Sequence, residues 1–156
     1  MEESADWVVD TYAAMVYRLA VAQMHARSDA DDVFQEVFLR YARKTPAFET
    51  EEHRKAWLLR VTVNCCRRAQ TSPWRKRTEP LTETLPFYDA EDDGGFFELL
   101  RLLPGKYRAV IHLFYYEGYS AEEIGGILDR KPATVRSQLA RGREYLRREL
   151  KGAEDR

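Results

Sequence analysis

Ser120 to Leu150 constrains this chain more than any other stretch. It reads SAEEIGGILDRKPATVRSQLARGREYLRREL, two helical patterns separated by a few residues. Ser120 stands three residues before Glu123, so hydroxyl and carboxylate can exchange hydrogen bonds with the backbone at a helix start. Ile124, Ile127 and Leu128 follow at helical spacing. Asp129-Arg130-Lys131 interrupts the period. Pro132, with its φ preset and no N–H to lose, suits the first turn of a second helix. In that helix Val135, Leu139, Gly142 and Leu146 share one face. Ala133, Ser137, Ala140 and Glu144 point the opposite way, flanked by Arg136 and Arg141. Small residues let a helix approach base edges, and arginines reach guanines or phosphates. A plain helical hairpin with a solvated basic face is the simpler alternative. The short turn, the charge bias and the small outward residues together favour helix-turn-helix.

Net charge is −1, and its distribution says more than its sum. Residues 1–52 carry a net −6 and residues 53–77 a net +8. Residues 78–99 return to −7 before residues 130–151 reach +6. Two basic segments in a near-neutral chain predict two nucleic-acid contacts, because local fields steer a polyanion. No apolar run approaches a membrane span and the N-terminus lacks a signal-peptide pattern, so a cytoplasmic protein is expected. Cys65 and Cys66 are adjacent, which disfavours a disulfide between them, and two thiols alone make a poor metal site. They read as reduced packing or surface residues. No cofactor is expected.

Taken in order, residues 5–25 place Val8, Tyr12, Met15, Val16, Leu19 and Ala22 on one stripe, an amphipathic helix. In the next helix Ser28 is the expected cap, with Asp29, Asp31 and Asp32 complementing the dipole. Ala30, Val33, Phe34, Val37, Phe38 and Tyr41 supply its buried face. Asp32, Gln35, Glu36, Leu39, Arg40 and Arg43 lie opposite, a solvated face or a partner surface. Thr45-Pro46 should end this helix. Thr50 can cap the next, with Glu51 and Glu52 in its first turn.

Val61-Thr62-Val63 would suit a strand. A helix is preferred, because Trp57, Arg60, Asn64, Arg67 and Thr71 then line one face, with charges for phosphates and an amide for a base edge. Ser72-Pro73 should stop it, before the basic run Trp74 to Arg77. Thr78 to Gly95 is acidic and reads as a linker; Trp74 before it and Phe87 within it are candidates to dock against a domain. Phe97, Leu100 and Leu103 precede Pro104-Gly105. Tyr107, Val110, Ile111 and Phe114 continue a core helix stopped by Gly118.

With these motifs in order, the chain resembles extracytoplasmic-function (ECF) sigma factors. DADDVFQEVFLRYAR looks like region 2.2 and AWLLRVTVNCCRR like regions 2.3 and 2.4; LLRLLPGKYRAVIHLFYYEGYSAEEIGGILDRKPATVRSQLARGREYLR is similar to region 4. The resemblance implies an all-α protein of two small helical domains: region 2 over residues 1–77, an acidic linker over 78–95, region 4 over 96–151, and a tail over 152–156. It implies a protein that joins core RNA polymerase and directs it to promoters. Asp32, Gln35, Glu36 and Arg40 would bind the clamp coiled coil of the largest subunit. The loop Ala47 to His53, with Phe48, and Asn64 would hold a flipped base of the minus-ten element. Arg60, Arg67 and Arg68 would contact phosphates. Arg136, Ser137 and Arg141 would read the minus-thirty-five element, with Lys131 and Thr134 nearer the backbone. An anti-sigma factor is an expected partner, and membrane insertion is not expected.

Gly125 and Gly142 depart from the alanines usual in the family, each costing about 1 kcal/mol of helix propensity. Trp57 could act as a strand-separating wedge, although core packing is the better reading. A helix-turn-helix regulator that never joins polymerase would account for residues 120–150 but not for the second basic module or the Gln35-Glu36 face. A sigma-like adaptor that does not initiate transcription is the other rival. An enzyme is the least favoured class: a recombinase would need a catalytic domain with a nucleophile and an arginine cluster, for which residues 1–77 leave no room, and the dispersed His25, His53 and His112 have no metal-ligand spacing.

Overall fold

The structure, a computed structural model, describes residues 4–24, 26–43, 47–71 and 96–154. It divides into two compact units, Met1–Asp89 and Ala90–Arg156, and no strand occurs among the described residues. Both units are helical. The first holds α1 (Ala5–Gln23), α2 (Arg27–Arg43) and α3 (Glu51–Thr71). The second holds α4 (Phe96–Leu100), α5 (Gly105–Ile111, continuing as a π-helical turn over His112–Tyr116), α6 (Ala121–Leu128) and α7 (Pro132–Glu154).

In the first unit α1 packs against both α2 and α3. Its burial is therefore wider than the single stripe its periodicity predicts. Val8, Met15, Val16, Leu19 and Ala22 are buried as expected, but so are Tyr17, Ala20, Val21 and Gln23, while Tyr12 is half-buried. The buried Tyr17 hydroxyl donates to Asp31 at 2.7 Å, which ties α1 to the start of α2. Burial and this carboxylate push the phenol up to about 12. Asp31 thus satisfies a core hydroxyl as well as the helix dipole. Ser4, not singled out from the sequence, caps α1 by accepting from the Trp7 amide at 3.1 Å. Ser28 does not cap α2: the helix begins at Arg27, which puts Ser28 inside its first turn. Phe34 and Phe38 are half-buried rather than buried, because Ala30, Val33, Val37 and Tyr41 fill the line facing α1 and α3.

The strand alternative for Val61-Thr62-Val63 fails. These residues lie inside α3, where the buried Thr62 hydroxyl donates to the Leu58 carbonyl at 2.6 Å, one helical turn back. Thr50 caps α3 by accepting from the His53 amide at 3.0 Å. Cys65 and Cys66 are both free and both buried, so they are packing residues. The stops at Thr45-Pro46 and Ser72-Pro73, the basic run 74–77, the acidic segment 78–95 with Phe87, and the side chain of Phe97 lie outside the described residues.

In the second unit α5 and α6 pack on α7. Leu100, Leu103, Val110, Ile111, Leu113, Ile124, Val135 and Leu139 are all nearly inaccessible. Phe114 is half-buried. Arg108 is buried too, its Nε donating to the Leu103 carbonyl at 3.0 Å and so fastening the turn between α4 and α5. Gly118, at φ +80°, ends the π-helical turn in a conformation that penalises other residues. The capping box at α6 forms as predicted: Ser120 accepts from the Glu123 amide at 3.1 Å and Glu123 accepts from the Ser120 amide at 2.9 Å.

Candidate nucleic-acid and partner interfaces

The helix-turn-helix owes its tight corner to Gly125. Its carbonyl accepts from Arg130 at 2.9 Å and from Asp129, which sits in the left-handed region at φ 56°. A Cβ on Gly125 would lie 2.7 Å from the Arg130 carbonyl oxygen. On α7, a Cβ on Gly142 would lie 2.9 Å from the Ile111 side chain. Both glycines are places of close approach, not merely weak helix formers. This corrects the reading from propensity alone.

With Val135, Leu139 and Gly142 buried, α7 exposes Ala133, Thr134, Arg136, Ser137, Ala140, Arg141 and Glu144. Lys131, just before the helix, is exposed as well. Arg136 bonds Glu122 of α6 at 2.8 Å, so an approaching anion must compete with that carboxylate. Both partners are more than half exposed, and the exchange costs little. Alongside this face runs a hollow of about 400 Å³, lined by Lys106, Tyr107, Ala133, Thr134, Ser137, Gln138 and Arg141. Lys106 comes from α5 and escaped the sequence reading, because only the packing of α5 on α7 brings it there.

In the first unit Arg60, Asn64, Arg67 and Thr71 are exposed along one face of α3, and Trp57 at its head is half-buried. Trp57 joins an aromatic cluster. The rings of Tyr41 and Phe48 stack at 6.2 Å, and Trp57 meets both edge-on at 5.9 Å. The Arg54 guanidinium lies 5.5 Å over Phe48 and also bonds Glu51. Phe48 is therefore half-buried, and it anchors the loop it was expected to serve.

On α2, Asp32, Gln35 and Leu39 are exposed, while Glu36 and Arg40 are half-buried and joined by a 2.8 Å ion pair. Burial, then the neighbouring Asp29 and Asp31, raise the Asp32 carboxyl above the ordinary aspartate range. A hollow of about 270 Å³ brings Asp32, Glu36 and Arg40 together with Cys65 and Arg68 of α3. Arg68 thus stands with the α2 group, at the edge of the face formed by Arg60, Asn64 and Arg67. Burial pushes the Cys65 thiol up, against the pull of Arg40 and Arg68. A third hollow, in the second unit, is lined by Ile111, Tyr115, Tyr116, Leu146 and Leu150 and by the arginines 143 and 147. Its exposed aromatic and aliphatic groups suit a protein partner, and the sequence did not single it out.

Two helical units, one with an outward polar face beside a basic one and the other with a helix-turn-helix, define a protein of the sigma-70 type. Family models agree: "Sigma-70 region 2" matches residues 8–76 and "Sigma-70, region 4" matches residues 96–146. ECF sigma factor SigW of Bacillus subtilis is 30% identical, over 92% of this chain and 87% of its own length. SigM of Mycobacterium tuberculosis is 32% identical, over 86% of this chain and 71% of its own. SigE of Mycolicibacterium smegmatis is 35% identical over 92% of this chain, which spans 60% of that relative. The chain belongs to the ECF RNA polymerase sigma factors. Two solved structures share the fold. The sigma factor RpoE in complex with the anti-sigma factor NepR, from Bartonella quintana, has a TM-score of 0.74 at 22% identity, covering 95% of this chain and 98% of that one. CnrH in complex with the cytosolic domain of CnrY has a TM-score of 0.69 at 20% identity, covering 95% and 88%.

Proposed function

We propose that this chain binds core RNA polymerase through α2 and brings it to two-part promoters read by α3 and α7. The α2 group Asp32, Gln35, Glu36 and Arg40 faces outward and mixes both charges, as a polar protein surface requires. Arg60, Asn64 and Arg67, with the loop 47–53, hold the single-stranded minus-ten element. The arginines meet phosphates and the Asn64 amide presents both donor and acceptor to a base edge. Arg68, which lines a hollow with Glu36 and Arg40, adds a phosphate contact at the edge of the α3 face. Phe48 acts by fixing the loop. Arg136, Ser137 and Arg141 read the minus-thirty-five element from the major groove, and Lys131 and Thr134 hold its backbone.

The observation that carries this reading is the outer face of α7. It sets small residues between two arginines, on a helix whose other face completes a core. Residues 1–77 and 96–151 are the two working modules, with 78–95 between them as linker. The chain is a cytoplasmic protein with no catalysis of its own, and among its described residues no helix is long and apolar enough to cross a membrane. An anti-sigma factor is the partner that would silence it, by covering one of these faces.

Reconstitution tests the proposal. Purified chain and bacterial core polymerase, given a pool of promoter fragments, should yield transcripts that start downstream of a shared two-part motif. Gln35→Ala combined with Glu36→Ala should lower affinity for core polymerase and leave the helical content unchanged by circular dichroism. Stable binding without transcripts would favour an adaptor; DNA binding without polymerase binding would favour a simple regulator.

A further inference from the structure

The hollow beside α7 presents donors and no carboxylate. Of its lining residues, Lys106 and Arg141 are cationic, and Thr134 and Ser137 carry hydroxyls. The Gln138 carbonyl oxygen is already occupied by Arg130 at 2.8 Å, which leaves its NH₂ group as the free donor. Neither Lys106 nor Arg141 forms an ion pair among the described residues, in contrast to Arg136 with Glu122. The Lys106 ammonium lies 5.1 Å from the centroid of the Tyr107 ring, a contact that holds a flexible side chain beside the hollow. A concave surface of donors with uncompensated positive charge selects an anion. Its position along the exposed edge of α7 makes that anion a phosphodiester of the DNA the helix reads.

We infer that Lys106, donated by α5, holds a backbone phosphate in this hollow together with Thr134, and so sets how α7 enters the groove. This rests on the assignment of α7 as the minus-thirty-five reader. Lys106 is a positioning residue. It touches no base, so it contributes affinity and register while Ser137 and Arg141 supply sequence preference.

The test uses the full chain assembled with core polymerase, and a promoter duplex selected by that complex from a randomised pool. Lys106→Gln should weaken binding by roughly three- to tenfold, equally on the selected duplex and on single-base variants of its upstream element. The slope of log affinity against log salt should fall by about 0.9, the share of one phosphate contact. Lys106→Arg should restore both. Lys106 is exposed, so the fold should not change. An unchanged salt slope for Lys106→Gln, with Arg141→Ala still impairing recognition, would overturn the assignment of Lys106 alone. A loss confined to one base position would make Lys106 a base reader and overturn it equally. If neither Lys106→Gln nor Arg141→Ala changes binding, the reading of α7 fails and the Lys106 site fails with it.

Discussion

Gly125 and Gly126 are neighbours in one short helix with opposite physical roles. A Cβ on Gly125 would press against the Arg130 carbonyl, whereas one on Gly126 would meet nothing within 4 Å. Helix propensity alone favours alanine at both positions by about 1 kcal/mol. Gly126→Ala should therefore stabilise the second unit by about 0.4–1 kcal/mol. Gly125→Ala should destabilise it by about 1–3 kcal/mol, because a backbone oxygen cannot step aside without opening the turn. The shift of urea midpoints in opposite directions checks this. A shared direction would mean that propensity outweighs the contact. Such a distinction was not legible in the sequence, where both residues stand in the same Ile124–Ile127 interval and only the fold brings Arg130 back over one of them. Lys106 escaped for the same reason, whereas Arg136, Ser137 and Arg141 were legible because their face follows from helix geometry alone.

Single helices were the most legible part of the chain. The capping box at α6, the Thr50 cap and the outward face of α3 all follow from local spacing, and all form. Apart from the Ser28 cap, which missed because α2 begins at Arg27, what failed were statements about neighbours. Phe34 and Phe38 share a period with Val33 and Val37, but Ala30, Val33, Val37 and Tyr41 take the buried line of α2, and the two rings remain half-exposed, Phe34 edge-on to Tyr17 of α1 at 5.9 Å. Burial around α1 depends on its being sandwiched between two helices, which no period within α1 can reveal. The π-helical turn over His112–Tyr116 also left no local signal.

The α6 cap yields a pH prediction. The Ser120 backbone and side chain hold Glu123 below the ordinary glutamate value of 4.5. A folded value below the unfolded one stabilises the fold above the unfolded value, and that contribution disappears as pH falls through the folded one. Glu123→Gln should remove this component. A urea-midpoint series from about pH 7 to about pH 3 should then fall less steeply for the variant than for the parent, the two curves converging in acid. Ser120→Ala should cost about 1 kcal/mol near neutrality through loss of the cap. Parallel curves for parent and Glu123→Gln would show that the carboxylate adds nothing to the cap.

At the scale of the molecule, two cores have been built in one chain, each closed by its own helices: α1 against α2 and α3 in the first unit, α5 and α6 against α7 in the second. Cores formed from separate stretches of sequence are expected to unfold as separate transitions, and a single two-state description then fails. The chain carries its own reporter for this. Trp7, Trp57 and Trp74 all belong to Met1–Asp89, and Ala90–Arg156 contains no tryptophan. Trp7 and Trp57 lie in described helices of the first unit, so in a Trp74→Phe background tryptophan fluorescence follows that unit, while far-ultraviolet circular dichroism follows the helices of both. Gly125→Ala should move the dichroism curve to lower urea and split it into two steps, with the fluorescence midpoint unchanged. The functional counterpart follows from the same separation. The variant should lose affinity for the upstream promoter element while its binding to core polymerase, assigned to α2, stays at the parent level. A fluorescence midpoint that moves together with the dichroism would mean that the two units unfold as one body, and polymerase binding would then weaken along with promoter recognition.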